Sequence, residues 1–410
     1  QWVSTGQSGL LSIAAAGMPP WRRAITPAVG GLAALAVTSL SRPLLKNSKF
    51  KEYIEAVRLH NGRLSFHSTF WRTISSSVSI ATGAAVGREG SMIQFAAAAT
   101  SHVGQRWKQL RLPLAQQVAC GVAAAVAAAY QAPIAGIFFA LEIVIDQDAR
   151  QDIASLLVAS VSGAWVSRAI LGAGPLFAVR QPVKLDVRDA WLIFSIAVLM
   201  GLLGPLYYWL NRSLKLSRKV RFPLFWSGAL VGMLSLLTTQ VWGNGDAALL
   251  SLLQSTPAIP ELLLILLCRL CATTVCVGTG TIGGIFTPTL FVGSVLGMLA
   301  GHWTHASSPL PFAILGMGCL LSSVTHAPLM ATFMTVELTG QWQLLPLALL
   351  SNLIAWQLAA QISPHALYAL ASPTPTAPLP ENRPEPAGGA PERRARCPFG
   401  SAAPQVEPVP

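Results

Sequence analysis

The sequence predicts an all-α polytopic membrane protein built from a duplicated set of spanning and broken helices. Three observations carry that prediction. Of 410 residues, 52% are hydrophobic and only 11% charged, against about 25% charge in an ordinary soluble domain, and the mean hydropathy is +0.53. Long apolar runs recur along the chain. Two short motifs also occur twice, in the same order and at nearly the same separation.

The runs come first. WLIFSIAVLMGLLGPLYYWL (191–210), FPLFWSGALVGMLSLLTTQVWG (222–243) and PELLLILLCRLCATTVCV (260–277) are each close to the length that spans a bilayer, which takes about 20 predominantly apolar residues. The net charge of +12 does not point to nucleic acid, because the basic residues gather in short connections. NRSLKLSRKVRF (211–222) holds five Lys/Arg. Such a loop between spans is expected on the cytoplasmic side, with anionic-lipid binding as its alternative role.

Weak chemical signals are read as structural. Cys268 and Cys271 form a CxxC inside a spanning run without further ligands, and are expected to be small buried apolar side chains. HWTH (302–305) lacks a third ligand for a metal site. The chain begins with Gln and no signal peptide is visible, so its natural start is expected to be missing. From Ser372 onward it is Pro/Ala-rich without apolar periodicity, and a disordered cytoplasmic tail is expected over 372–410.

The duplication carries the functional information. GREGS (87–91) precedes QAPIAGIFFALEI (131–143), and GGIFTP (283–288) precedes HAPLMATFMTVEL (326–338). Each Ala-Pro opens an apolar segment that reaches a glutamate nine residues past the proline: Pro133 to Glu142, and Pro328 to Glu337. From Gly87 to Pro133 is 46 residues and from Gly284 to Pro328 is 44. Paired motifs of this kind are a mark of secondary transporters and related pores. Several segments are too short to span, and broken helices at membrane depth are tolerated where protein or a water-filled cavity satisfies their ends.

Such ends attract anions. A helix start carries about half an elementary positive charge and unsatisfied N–H groups, and glycines let that backbone approach a ligand. GREGS and GGIFTP both place glycines before a residue suited to a first turn, Ser91 and Pro288, and then an apolar helix. Brought together, the two starts make a site for a small anion without a full positive charge. Arg88 and Glu89 sit among the small residues of TGAAVGREGSMIQFAAAA (82–99). Each costs about 2.5–3.5 kcal/mol at bilayer depth, so each is read as functional. Glu89 can occupy the anion site when ionised and leave it when protonated, acting as gate and proton acceptor. The competing reading is a local Arg88–Glu89 ion pair, which the divergence of adjacent side chains on a helix weakens.

At these residues the chain resembles the CLC family of chloride channels and chloride/proton exchangers, in its bacterial ClcB-like branch. GREGS resembles the family's GREGP, GGIFTPTLFVG resembles its GxFxP segment, and the two Ala-Pro…Glu segments and the late tyrosine of HALYAL (365–370) follow the family order. The resemblance covers about residues 10–370. It implies a homodimer with one anion pathway per subunit, built from two inverted repeats of tilted and broken helices. The first repeat covers about 1–170 and the second about 187–371, within a transmembrane domain over 1–371 that lacks its N-terminal helix. It makes Glu89 the gating glutamate, with Gly87, Arg88 and Gly90 around it. It places Gly284 and the N–H groups of Ile285 and Phe286 at the anion, and points the Tyr368 hydroxyl at it.

Three departures bear on mechanism. Where the family has GSGIP, this chain has NSKFK (47–51), so Ser48 is either an anion donor or part of a polar turn. Exchangers of the family carry an internal proton-relay glutamate directly after the first-repeat glutamate, but Ile143, Val144 and Ile145 follow Glu142 here. The nearest carboxylates, Asp146 and Asp148, are expected at a solvated helix end. Glu142 and Glu337 are expected to be structural, accepting hydrogen bonds from loop N–H groups. The third departure is the shortened N-terminus.

The expected function is therefore chloride transport gated by Glu89, channel-like or weakly proton-coupled. The alternatives are a proton-coupled exchanger or a carrier of another small anion such as fluoride or nitrate. Chloride, protons, membrane lipid and a second copy are the expected partners, with no cofactor, metal or nucleic acid, in a bacterial inner membrane. An intramembrane enzyme would need HExxH or a Ser/His or Ser/Lys set, and the sequence has neither.

Overall fold

Buried backbone without water has to satisfy its own hydrogen bonds, and this chain does so with helices. The computed structural model describes residues 11–41, 52–107, 112–145, 152–179, 187–214, 220–304, 308–363 and 367. They belong to one compact unit over residues 1–372, while the second unit, 373–410, lies outside the described residues. Ser48, Asp146, Asp148, Tyr368 and the expected tail also lie outside them.

The first half contains α1 (Leu11–Ala16), α2 (Pro20–Ser41), α3 (Tyr53–Leu59), α4 (Phe66–Ala81), α5 (Glu89–Arg106), α6 (Leu114–Tyr130), α7 (Pro133–Phe139) and α8 (Ile153–Leu171). A π-turn over Ala140–Val144 extends α7. The second half contains α9 (Val187–Ser213), α10 (Pro223–Leu237), α11 (Asp246–Gln254), α12 (Ile259–Gly278), α13 (Phe286–Trp303), α14 (Leu310–Thr325), α15 (Pro328–Thr339) and α16 (Leu345–Ile362). Long apolar stretches at 20–41, 153–171, 193–213, 259–278 and 342–362 are sufficient to cross a membrane by length and composition. Others, such as α3, α7 and α11, are too short to do so.

The halves correspond element by element as inverted repeats. Glu89 and Phe286 open α5 and α13, which are both 18 residues long. α6 and α14 both end on a left-handed residue, Gln131 at φ 54° and His326 at φ 57°, and an Ala-Pro follows to start the next helix. The chain thus reverses at the same point in each repeat. Phe138 and Phe333, each five residues past its proline, stack across the repeat axis with ring centroids 5.0 Å apart and planes 2° apart.

Small residues set the closest helix crossings. On α13, Gly293 and Gly297 lie against the backbone of α14 at Gly316 and Phe312, and a side chain at either glycine would strike a carbonyl oxygen. α2 and α10 meet the same way, Gly31 against Leu224 and Gly228 against Pro27. Membrane helices associate largely by such close backbone packing, because lipid supplies no hydrophobic drive between them. α12 is amphipathic in a different sense. Cys268 is buried, whereas Cys271 faces outward on the same side as Leu263, Leu264 and Leu267. The expectation that both cysteines are buried is therefore corrected for Cys271, which shares the outward face of Leu267 one turn before it.

Candidate functional site

The two glycine motifs meet through their backbones. Gly87 donates its N–H to the Gly284 carbonyl at 2.6 Å, and Gly284 donates to the Gly87 carbonyl at 2.8 Å, a two-bond antiparallel bridge between repeats. The approach needs glycine on the Gly90 side as well. A Cβ on Gly90 would lie 3.2 Å from the Gly284 nitrogen. The bridge also fixes what these glycines do. Because their N–H groups serve each other, Gly87 and Gly284 are not donors to an anion; they hold the starts of α5 and α13 together. The first-turn N–H groups that follow, at Gly90, Ile285 and Phe286, have no intrahelical acceptor, and these residues line a shared cavity of about 420 Å3.

Glu89 stands at that junction. It is the first residue of α5 and only 2% exposed. Thr287, in the first turn of α13, donates its hydroxyl to Glu89 Oε1 at 2.6 Å, and Tyr130 Oη lies 3.2 Å from Thr287 Oγ1. Among the described residues Glu89 Oε2 has no hydrogen-bond partner, and it lies over Gly87, where an added Cβ would collide with it. A negative charge here faces the positive ends of two helices. Behind the site, Ser76 donates to the Ile282 carbonyl at 2.6 Å and Ser91 donates to the Arg88 carbonyl at 2.8 Å, fixing both glycine turns.

Arg88 turns away from Glu89. Its Nη2 lies 3.1 Å from Asp246 Oδ2, and Asn244 Nδ2 donates to the same oxygen at 2.6 Å. No Arg88–Glu89 ion pair is found among the described residues. Arg88 therefore does not present its guanidinium to the cavity, contrary to its expected place among the anion ligands. A second cation is fully buried. Arg269, on α12, donates Nη1 to the Val241 carbonyl at 3.0 Å and sits 5.9 Å from the Phe291 ring centre. Arg88, Asp246, Glu89 and Arg269 thus form a charge-balanced cluster when both carboxyls are ionised.

The paired prolines open helices capped across the repeat. Glu142 accepts the N–H groups of Leu329 at 3.1 Å and Met330 at 2.7 Å, in the first turn of α15. Glu337 accepts those of Ile134 at 3.1 Å and Ala135 at 2.8 Å, in the first turn of α7. Their donors are helix starts of the opposite repeat rather than loops, which corrects the expected partner while keeping the structural role. Pro133 and Pro328 open the helices that receive these caps, and Pro288 follows Phe286 in the first turn of α13. Next to Glu142, Ile143 is 3% exposed within the apolar core. Its carbonyl accepts Arg58 Nη2 at 2.8 Å.

Four residues of the site were not singled out from sequence: Tyr130, Thr287, Asp246 and Arg269. Thr287 lies within GGIFTP and Tyr130 directly precedes QAP, so position alone could have raised both. Arg269 and Asp246 are charges beside or within apolar runs, the signal already applied to Glu89.

The chain matches the model of the family described as voltage gated chloride channel over residues 30–360. It is 37% identical over 391 residues, 90% of this chain and 91% of the relative, to a voltage-gated ClC-type chloride channel ClcB of Escherichia coli O157:H7 (strain EC4115 / EHEC). It is 35% identical over 385 residues, 88% and 89% of the two chains, to the ClcB of Citrobacter koseri (strain ATCC BAA-895 / CDC 4225-83 / SGSC4696). Among solved structures it superposes on a slow cyanobacterial Cl-/H+ antiporter with a TM-score of 0.79 at 22% identity, covering 90% of each chain. On a CLC-type fluoride/proton antiporter the TM-score is 0.65 at 20% identity, covering 88% of this chain and 97% of the other.

Proposed function

Because this chain belongs to the voltage-gated chloride channel family, we propose that it carries chloride through one pathway in each subunit of a homodimer, with Glu89 as the gate. The chain is an integral membrane protein of the CLC family, and its ClcB relatives are bacterial. We assign it to the bacterial inner membrane, with the first repeat over about 1–170 and the second over about 187–371. The observation that carries the gate is the position of the Glu89 carboxylate. It is buried where two bridged helix starts converge, in the place a chloride ion would take. Gly90, Ile285 and Phe286 supply the backbone N–H groups for the ion once the carboxyl is protonated and withdraws.

Transport is channel-like or weakly proton-coupled on this reading. At the position after Glu142, an isoleucine is packed into the core, and the Arg58 guanidinium bonds its carbonyl. An apolar side chain backed by a cation holds no proton there. Outward apolar residues such as Leu157, Val161 and Trp165 on α8 suit lipid or a second subunit.

Glu89→Gln tests the gate in chloride-loaded liposomes. A neutral side chain imitates the protonated carboxyl, so efflux should match or exceed wild type and become nearly independent of pH. Efflux that keeps the wild-type pH profile would show that Glu89 is not the gate.

A further inference from the structure

We propose that Tyr130 and Thr287 form a two-hydroxyl relay that protonates Glu89 from water in the cavity. The inference rests on the reading of Glu89 as the gate. It starts from an irregularity among threonines. Thr289, Thr332, Thr335 and Thr339 each return their hydroxyl to the carbonyl four residues earlier in their own helix, the usual habit of a helical threonine. Thr287 instead donates to Glu89 Oε1 at 2.6 Å, and Tyr130 Oη is 3.2 Å behind it.

The two hydroxyls belong to one repeat junction only. The position matching Tyr130 in the second repeat is Thr325, whose hydroxyl bonds the Leu321 carbonyl at 2.7 Å. Thr287 is fully buried and Tyr130 is 2% exposed, yet both Tyr130 and Glu89 line the cavity. The Tyr130 ring is held against Phe286, centroids 5.4 Å apart, and Phe139 also packs on Phe286, at 6.2 Å. Beside these rings, the Tyr130–Thr287 pair leads through two hydroxyl oxygens to Glu89 Oε1.

The transfer balances. A hydronium ion in the cavity gives a proton to Tyr130 Oη, the Tyr130 proton passes to Thr287 Oγ1, and the Thr287 proton passes to Glu89 Oε1. Three O–H bonds form, three break, and one water is left in the cavity. Moving together, the protons leave no phenolate or alkoxide, and rotation about two C–O bonds resets the chain. Glu89 becomes neutral and no longer needs its donor. The relay thus supplies the gate from the cavity without an acid at position 143.

Other charged groups also face the gate. Arg88 adjoins it on its own helix end, Asp246 and Arg269 approach from α11 and α12, and Glu52 and Arg72 line the same cavity. Tyr130→Phe and Thr287→Val leave all five in place. Because the cavity also reaches Arg212 in the last turn of α9, beside the basic connection, it is expected to open to the cytoplasm.

The test uses the full chain in inside-out patches from giant bacterial spheroplasts, with the pH stepped separately on each face while chloride current is recorded. Wild type should respond to acid on the cavity side. Tyr130→Phe and Thr287→Val should slow that response by roughly 10²-fold, the scale of losing a positioned proton donor, and Tyr130→Phe, which leaves the Thr287–Glu89 bond in place, should keep the response to the opposite face unchanged. Thr287→Ser, which keeps the hydroxyl, should respond like wild type. Unchanged responses to both faces in Tyr130→Phe and Thr287→Val would overturn the relay, as would a wild type blind to acid on either face. A pH-dependent Glu89→Gln current would instead overturn the gate itself, so the two failures are told apart.

Discussion

Replacing Glu337 by Gln should destabilise the folded protein by about 2–4 kcal/mol, and the structure sets that figure. The carboxylate accepts two N–H bonds, from Ile134 at 3.1 Å and Ala135 at 2.8 Å, at the start of α7. Hydrogen bonds to a charged group contribute about 1.5–3 kcal/mol each, and a negative charge at a helix start adds about 0.3–1 kcal/mol. Glutamine keeps one carbonyl acceptor but turns an NH2 toward the second N–H, so one bond is lost and the other weakened. The same reasoning applies to Glu142→Gln against Leu329 and Met330. Unfolding in mixed micelles, followed by tryptophan fluorescence, would measure both variants and their double. The two caps sit on different helix starts, so their costs should add within about 0.5 kcal/mol. A loss below about 0.5 kcal/mol for either variant would refute the argument. So would a large loss at Glu142 with none at Glu337, because the reciprocal geometry requires both.

Two other perturbations act on the gate. A Cβ on Gly87 would collide with Glu89 Oε2, whereas one on Gly284 meets nothing nearer than the Gly90 nitrogen at 3.3 Å. Gly87→Ala should therefore displace the carboxylate and flatten the pH profile of chloride efflux, and Gly284→Ala should keep the wild-type profile. Asp246→Asn removes the partner 3.1 Å from Arg88 and leaves a surplus positive charge beside Glu89. Half-maximal efflux should then require more acid than in wild type, which a pH series in liposomes would measure.

Much of this fold is written in local pattern. The spanning runs, the glycine starts and the Ala-Pro…Glu segments each depend on residues close in sequence; the runs fall on α9, α10 and α12, with α10 stopping at Leu237, and the motifs on α5, α7, α13 and α15. The bridge between Gly87 and Gly284 is different in kind. It joins backbones 197 positions apart, and nothing in either glycine motif says that its N–H groups are taken by the other. The same distance hid the cross-repeat caps, for which sequence named the carboxylates but not the helix starts they serve. Thr287, a threonine after two apolar residues, reads in sequence as a helix filler, and only its rotamer gives it to Glu89. The family resemblance of GREGS sets Arg88 around Glu89 at the expected anion site. Neighbours on a helix diverge, and Arg88 found Asp246 instead.

The charge cluster explains how an anion site without a dedicated cation can still be selective for occupancy. Two arginines, the half-exposed Arg88 and the fully buried Arg269, lie beside two buried carboxyls, Asp246 and Glu89. With Glu89 ionised the four side chains sum to zero, and the carboxylate itself fills the space at the two helix starts. With Glu89 protonated the sum is +1, and one chloride restores neutrality. On the proposed reading the proton and the chloride favour each other, and by linkage each would strengthen the other's binding by the same factor. Neither arginine needs to touch the ion. Arg88 is held by Asp246 and Arg269 by the Val241 carbonyl, so in the proposed site both act through the field, and among the described residues the ion is offered backbone N–H groups. Such a site would draw the anion in without binding it so tightly that it could not leave.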